Sequence, residues 1–141
     1  MMKKRVLVLC TGNSARSQLA EALINARRGE QWEAFSAGTE PAKQVNPYAL
    51  RVLDELGINA HNSRPKSMME FQGQAFDLVL TVCDDAAENC PFWPGQGRRV
   101  HVGFPDPAKA EGSDTEILNA FRSVAEGIET RILPLLDEDG R

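Results

Sequence analysis

Apolar residues in this chain come in two rhythms that alternate. Short unbroken runs suit strands buried on both faces, and runs repeating every three to four residues suit helices with one apolar side. Arg5–Leu9, with Val6-Leu7-Val8-Leu9 at its heart, predicts a first strand. Ser17–Arg27 follows with Leu19, Ala20, Leu23 and Ile24 on one helical face. Glu33–Ala37 predicts a second strand stopped by Gly38. Pro47 opens a helix carrying Leu50, Val52, Leu53 and Leu56 that ends at Gly57. Asp77–Val82 and Arg98–Phe104 predict strands three and four. A last helix is expected from about Asp114 to Leu136, kinked or stopped by Pro134.

Strands alternating with helices imply an α/β fold: a parallel sheet, right-handed crossovers and helices on both faces. For four strands the expected order is 2-1-3-4. Ligands in such sheets bind beyond the carboxyl ends of the strands, where the order reverses. That point falls just after strand one, at Cys10.

Composition changes this picture little. The 141 residues carry no repeat and no linker, so residues 1–141 read as one domain, long enough for a core without disulfide staples. A net charge of −4 excludes a general nucleic-acid binder and requires any anion to be drawn in by a local site. The basic start Lys3-Lys4-Arg5 precedes only four apolar residues, too few for a signal core or membrane span. The expectation is a cytoplasmic protein with no membrane partner. Three cysteines, an odd number, then point to catalytic, redox or core roles rather than a disulfide framework.

The chemistry concentrates in Cys10-Thr11-Gly12-Asn13-Ser14-Ala15-Arg16-Ser17, between strand one and helix one. Gly12 and Asn13 tolerate positive φ, which lets successive N–H groups converge on one point. The following helix start adds unpaired donors and partial positive charge. Arg16 adds a planar fork for two oxygens of a tetrahedral anion. The same surroundings favour a thiolate. A free thiol of pKa ~8.5 is only about 3% ionised at pH 7, so such help matters. Ser17 can donate a hydroxyl hydrogen bond to the charged sulfur. The plain alternative, a buried cysteine before an ordinary helix cap, must explain a Cys and an Arg-Ser at this spacing; chance supplies that in about one chain in a hundred.

This loop resembles the phosphate loop of low-molecular-weight protein tyrosine phosphatases and of the thioredoxin-coupled arsenate reductases that share their fold. The resemblance runs from Lys4 to about Leu136 and includes Ser36-Ala37-Gly38-Thr39 and Asp106-Pro107. The loop alone does not separate the two activities; the other cysteines bear on that. Cys83 ends the run Leu78-Val79-Leu80-Thr81-Val82, and Cys90 precedes Pro91. Core packing is the plain reading of Cys83, and an incidental loop position that of Cys90. Their spacing fits no common zinc pattern, so no metal and no cofactor is expected. If strands one and three are neighbours, their ends lie about 4.8 Å apart, and a Cys10–Cys83 bridge is within reach.

The run Cys83-Asp84-Asp85-Ala86-Ala87-Glu88-Asn89-Cys90-Pro91 resembles the resolving segment of the arsenate reductases. That resemblance implies a relay in which Cys10 attacks arsenate, Cys83 displaces arsenite and Cys90 frees Cys10. A Cys83–Cys90 disulfide is then presented to thioredoxin, the implied partner. Plain phosphatases of this fold commonly bear aromatics after Asp-Pro; here Ala108-Lys109-Ala110 follows, and Tyr48 is the only tyrosine. Asp106 is, by resemblance, the general acid that protonates the leaving oxygen. Trp93 is expected to pack the loop after Cys90, and His61 and His101 to have no catalytic task.

Asn13, Glu21 and Ser36 match positions that hold a potassium ion in some arsenate reductases, whose further acidic ligand falls in the segment here reading Ser63-Arg64-Pro65-Lys66-Ser67. Lysine offers only donors. Lys66 is therefore expected to pair with Glu21 in the ion's place. Three readings remain at this stage: an arsenate reductase, a phosphatase using Cys10, Arg16 and Asp106, and a non-enzymatic oxyanion or redox sensor.

Overall fold

Four strands form the sheet: β1 (Lys4–Cys10), β2 (Trp32–Gly38), β3 (Leu78–Thr81) and β4 (Arg98–His101). They lie in the order β2-β1-β3-β4, with all neighbours parallel. The computed structural model describes residues 3–84 and 91–139. Because β1 is flanked on both sides, its side chains alternate between two buried faces, and Val6 to Leu9 are wholly buried.

One face, with Val6, Val8, Leu78 and Leu80, packs against α1 (Arg16–Arg28), α2 (Pro47–Glu55), α3 (Asp114–Gly127) and α4 (Leu133–Asp139). On the other, Leu7, Leu9 and Val79 meet Phe71, from the 3-10 turn Met68–Phe71, and Phe76 and Trp93. Helical elements thus cover both faces of a single-domain α/β fold. Phe35, Phe71, Phe76 and Trp93 pack edge to face at centroid distances of 5.7–6.0 Å. Trp93, in the irregular segment after Pro91, is therefore part of the core on this face.

Local chemistry sets the helix starts. Asn46 caps α2 by accepting from Tyr48 N at 2.9 Å, with Pro47 at the first position. Ser113 and Glu116 form a reciprocal capping box on α3. The α2–α3 seam is tied at its surface by Arg122 on Glu55 and by Arg51 and Tyr48 on Asp114. Those hydrogen bonds hold both carboxyls below the usual carboxylate range.

Two expectations need correction. Strand four ends at His101, not Phe104. After Val102 N bonds Thr81 O at 2.9 Å, the next bond runs from Phe104 N to Val82 O at 3.1 Å. The chain thus advances two residues on one side and one on the other, a bulge that turns it towards the site. Gly103 sits in this bulge, where a Cβ would lie 2.8 Å from His101 Nε2. Pro134 does not end the last helix. A five-residue π turn, Ile128–Ile132, precedes it. The wider turn reroutes the bond that proline cannot make, and the helix continues as α4.

Candidate active site

At the carboxyl ends of β1 and β4 lies a cavity of about 340 Å3, lined by residues 10–16 together with Asp106, Ala108 and Lys109. The loop owes its shape to how its carbonyls are satisfied. Glu40 N bonds Thr11 O at 3.0 Å, Ala42 N bonds Gly12 O at 2.9 Å and Asn46 N bonds Ser14 O at 2.8 Å. Across a trans peptide the carbonyl and the next N–H point in opposite directions. Tying those carbonyls outward to the 40–46 strap turns the N–H groups of Gly12, Asn13 and Ala15 towards the cavity. Asn13 takes the one positive φ of a non-glycine residue among those described, 51°. Ala15 is the N-cap of α1 and makes no side-chain cap hydrogen bond, so the positive end of the helix is not neutralised by a cap of its own.

Cys10 is buried and is a free thiol. Its Sγ lies 2.8 Å from Ser17 Oγ. Asn13 Nδ2 donates to that same oxygen at 2.7 Å, so the Ser17 hydroxyl hydrogen is left to point at sulfur. Asn13 is itself held through Oδ1, which accepts from Lys66 N at 2.8 Å and from Gln18 Nε2 at 3.1 Å. Gln18 Nε2 also reaches Arg64 O at 2.9 Å, pinning the 64–66 segment against the loop. Gln18 is almost completely buried, and sequence reading missed it. A polar residue beside the apolar stripe of α1 was its only signal.

Arg16 is buried, with Nη1 donating to Phe104 O at 3.2 Å and Nη2 3.8 Å from Asp106 Oδ2. Asp106 is held by Ala108 N, which donates to Oδ1 at 3.0 Å and starts the 3-10 turn Pro107–Lys109. That turn presents Lys109 at the cavity rim, a placement sequence reading also missed. The bulge at Gly103 delivers Asp106 here from β4, so a carboxylate, a guanidinium and a thiol from distant positions share one space.

Cys83 is fully buried, does not line the cavity and is held in a disulfide. It follows Val82, whose N–H bonds Leu9 O at 3.0 Å, which places it next to the loop start. Cys90 lies outside the described residues. Tyr48 stacks on Phe121 at 5.5 Å in the α2–α3 seam. His61 pairs with Asp54 at the surface, and His101 Nδ1 contacts Thr81 Oγ1 at 2.7 Å.

Behind the loop, Ser36 Oγ donates to Glu21 Oε1 at 3.0 Å, and Lys66 Nζ lies 3.6 Å from that oxygen. This donor set does not fit potassium. Asn13 Oδ1 already accepts two N–H donors, and the Lys66 ammonium holds the charge beside Glu21. Among the described residues no group of three or more His, Cys, Asp or Glu could hold a metal ion.

Gly38, opposite Cys10 in the β1–β2 register, supports the loop by having no side chain. A Cβ there would come within 2.3 Å of Thr11 O and 3.1 Å of Asn13 N. Gly38→Ala is therefore expected to displace the loop. Its turnover should fall about 100-fold, as for a catalytic centre misplaced by about 1 Å, with about 1–3 kcal/mol lost in urea unfolding. Wild-type turnover in this variant would show that the loop is held by other contacts.

The low molecular weight phosphotyrosine protein phosphatase family model matches residues 5–139. An arsenate reductase of Halalkalibacterium halodurans is 45% identical over 132 residues, 94% of each chain. Among solved structures, an arsenate reductase from Archaeoglobus fulgidus is 33% identical with a TM-score of 0.69, covering 89% of this chain and 99% of that one. A thioredoxin-dependent arsenate reductase from Corynebacterium glutamicum is 28% identical with a TM-score of 0.64, covering 93% of this chain and 62% of that one.

Proposed function

This chain belongs to the low molecular weight phosphotyrosine protein phosphatase family, and we propose that within it the protein reduces arsenate to arsenite with electrons from thioredoxin. The observation that carries the reading is a small cavity with a free Cys10 and Arg16 in its lining and, among the described residues, no aromatic side chain lining it. Such a pocket suits a small inorganic oxyanion better than an aryl ester. The arsenate reductases it resembles add to this.

The Cys10 thiolate attacks arsenic while Arg16 and the inward N–H groups hold the other oxygens. Asp106 protonates the leaving oxygen, and water departs. Cys83 then attacks Cys10 Sγ. The sulfur–arsenic bond breaks with its electron pair on arsenic, arsenite leaves, and Cys10–Cys83 becomes a disulfide. Cys90 attacks Cys83 and frees Cys10. Thioredoxin reduces the remaining Cys83–Cys90 bond. A free Cys10 beside a Cys83 already in a disulfide is the state this third step would leave behind. Such a relay belongs in a reducing compartment, the cytoplasm. No helix among the described residues is long and apolar enough to cross a membrane.

Weak aryl phosphatase activity is a second reading, since Cys10, Arg16 and Asp106 meet in one cavity. Steady-state turnover of arsenate with a thioredoxin system, set against hydrolysis of p-nitrophenyl phosphate, decides between them. A sensor would bind or oxidise without multiple turnover in either assay. Efficient hydrolysis with no arsenate turnover would overturn the reductase reading.

Lys66 takes the role that a potassium ion would otherwise fill beside Glu21. Exchanging potassium for sodium at fixed ionic strength should leave turnover unchanged, and Lys66→Asp should either introduce potassium dependence or damage the loop. Marked activation of the wild type by potassium would contradict this.

A further inference from the structure

Phe92 is one of two large apolar side chains left strongly exposed among the described residues, at 71%. It is not a loose surface ring. The Arg99 guanidinium lies over it, 5.0 Å from the ring centroid. Arg99 is locked in turn: Nε and Nη2 donate to Trp93 O at 2.9 and 2.7 Å, and Nη2 to Gly95 O at 3.0 Å. Trp93 beneath is buried and packs edge-on against Phe76. An exposed aromatic ring is thus presented in a fixed pose by a chain of contacts rooted in the core.

Beside Phe92 is a depression of about 250 Å3, walled by Pro91, Trp93, Val100 and His101 and reaching Thr81. Thr81 precedes the disulfide-bonded Cys83 by two residues. The His101 ring lies over Gly103, where a Cβ would also come within 3.0 Å of Cys83 O. The depression's His101 wall, on edge strand β4, is therefore close to the Cys83 carbonyl. Arg99 bonds only neutral carbonyls, and among the described residues no carboxylate neutralises it. In a chain of net charge −4 this is a local positive point on an otherwise repulsive surface for an acidic partner.

We propose that Phe92, Arg99 and the adjoining depression are the docking surface for the disulfide reductase that recycles Cys83. This rests on the relay proposed above. The occupant is a thioredoxin-type protein with apolar surface around its attacking cysteine and acidic residues at the rim. A reductant must bring its sulfur to the Cys83 disulfide, and this patch has the location, the anchoring ring and the charge for it. Rigid exposed aromatics and arginines dominate binding at such interfaces because little freedom remains to be lost on contact.

The test uses the full chain with thioredoxin, thioredoxin reductase and NADPH at saturating arsenate. Thioredoxin is varied, and dithiothreitol-driven arsenate reduction and p-nitrophenyl phosphate hydrolysis serve as controls. Phe92→Ser should raise KM for thioredoxin about 10-fold or more while both controls stay within about twofold of wild type. Arg99→Glu should also raise this KM and should reverse its salt dependence, because a repulsion then replaces an attraction. An unchanged KM in both variants would overturn the proposal, as would an equal fall in thioredoxin-driven and dithiothreitol-driven rates. Phe92-dependent self-association in sedimentation velocity would assign the patch to a second copy instead and overturn it too. A wild-type protein that turns over with dithiothreitol but not with thioredoxin would sink the thioredoxin reading itself, a result distinct from an unaltered KM.

Discussion

Cys10→Ser is expected to abolish arsenate reduction and aryl phosphate hydrolysis together, by about 10^4-fold or more. Both reactions begin with the same sulfur, and a serine hydroxyl in that position has neither the acidity nor the capacity for disulfide exchange. The change is close to isosteric at a buried site, and the contacts that fold the loop do not run through sulfur. Glu40, Ala42 and Asn46 would still hold the carbonyls, and Asn13 would still hold Ser17. Thermal unfolding should therefore shift by only a few degrees, so the loss reports chemistry. Arg16→Lys should cost roughly 10^2–10^3-fold, because a point charge cannot replace a fork that spans two oxygens. Reductase turnover above background in Cys10→Ser would remove the thiol from the mechanism.

The second large effect separates the relay from the loop. Cys90→Ser should release one arsenite per enzyme and stop. The trapped species should be a Cys10–Cys83 disulfide, visible by mass spectrometry after alkylation of free thiols. Cys83→Ser should stop earlier, with no arsenite released. Neither change touches Cys10, Arg16 or Asp106, so the phosphatase activity of both reduced variants should stay near that of reduced wild type. Continued cycling of Cys90→Ser with thioredoxin would mean that Cys90 has no resolving role.

The loop and the proposed relay would place opposite demands on the structure. Oxyanion binding needs rigidity, and here three outward-tied carbonyls, a glycine-backed strand end and the Asn13–Ser17 pair supply it. Thiol exchange needs Cys10 and Cys83 to approach, and it works best from a strand end, where the backbone is released from its ladder. The β3 pairing with β1 ends at Thr81, two residues before Cys83. Cys10 and Cys83 therefore both stand where the regular sheet gives way to loops, on neighbouring strands.

Much of this was legible from residue order alone, because it depends on neighbours in the chain. Short unbroken apolar runs suit strands buried on both faces, so Val6–Leu9 and Leu78–Leu80 marked the centre of the sheet, and the strand–helix alternation pointed to the order that the structure has. A cysteine, a tight turn and an arginine within eight positions marked the candidate oxyanion loop. Only the tertiary structure could decide how that loop is held. The 40–46 strap, the Gln18 bridge to Arg64, the closeness of Gly38 to Thr11 and the Lys66–Glu21 pair join segments with no shared periodicity. The end of β4 and the fate of Pro134 escaped for a related reason. A bulge and a π turn are made by where a hydrogen bond finds its partner, and a residue's own preference does not carry that partner's position.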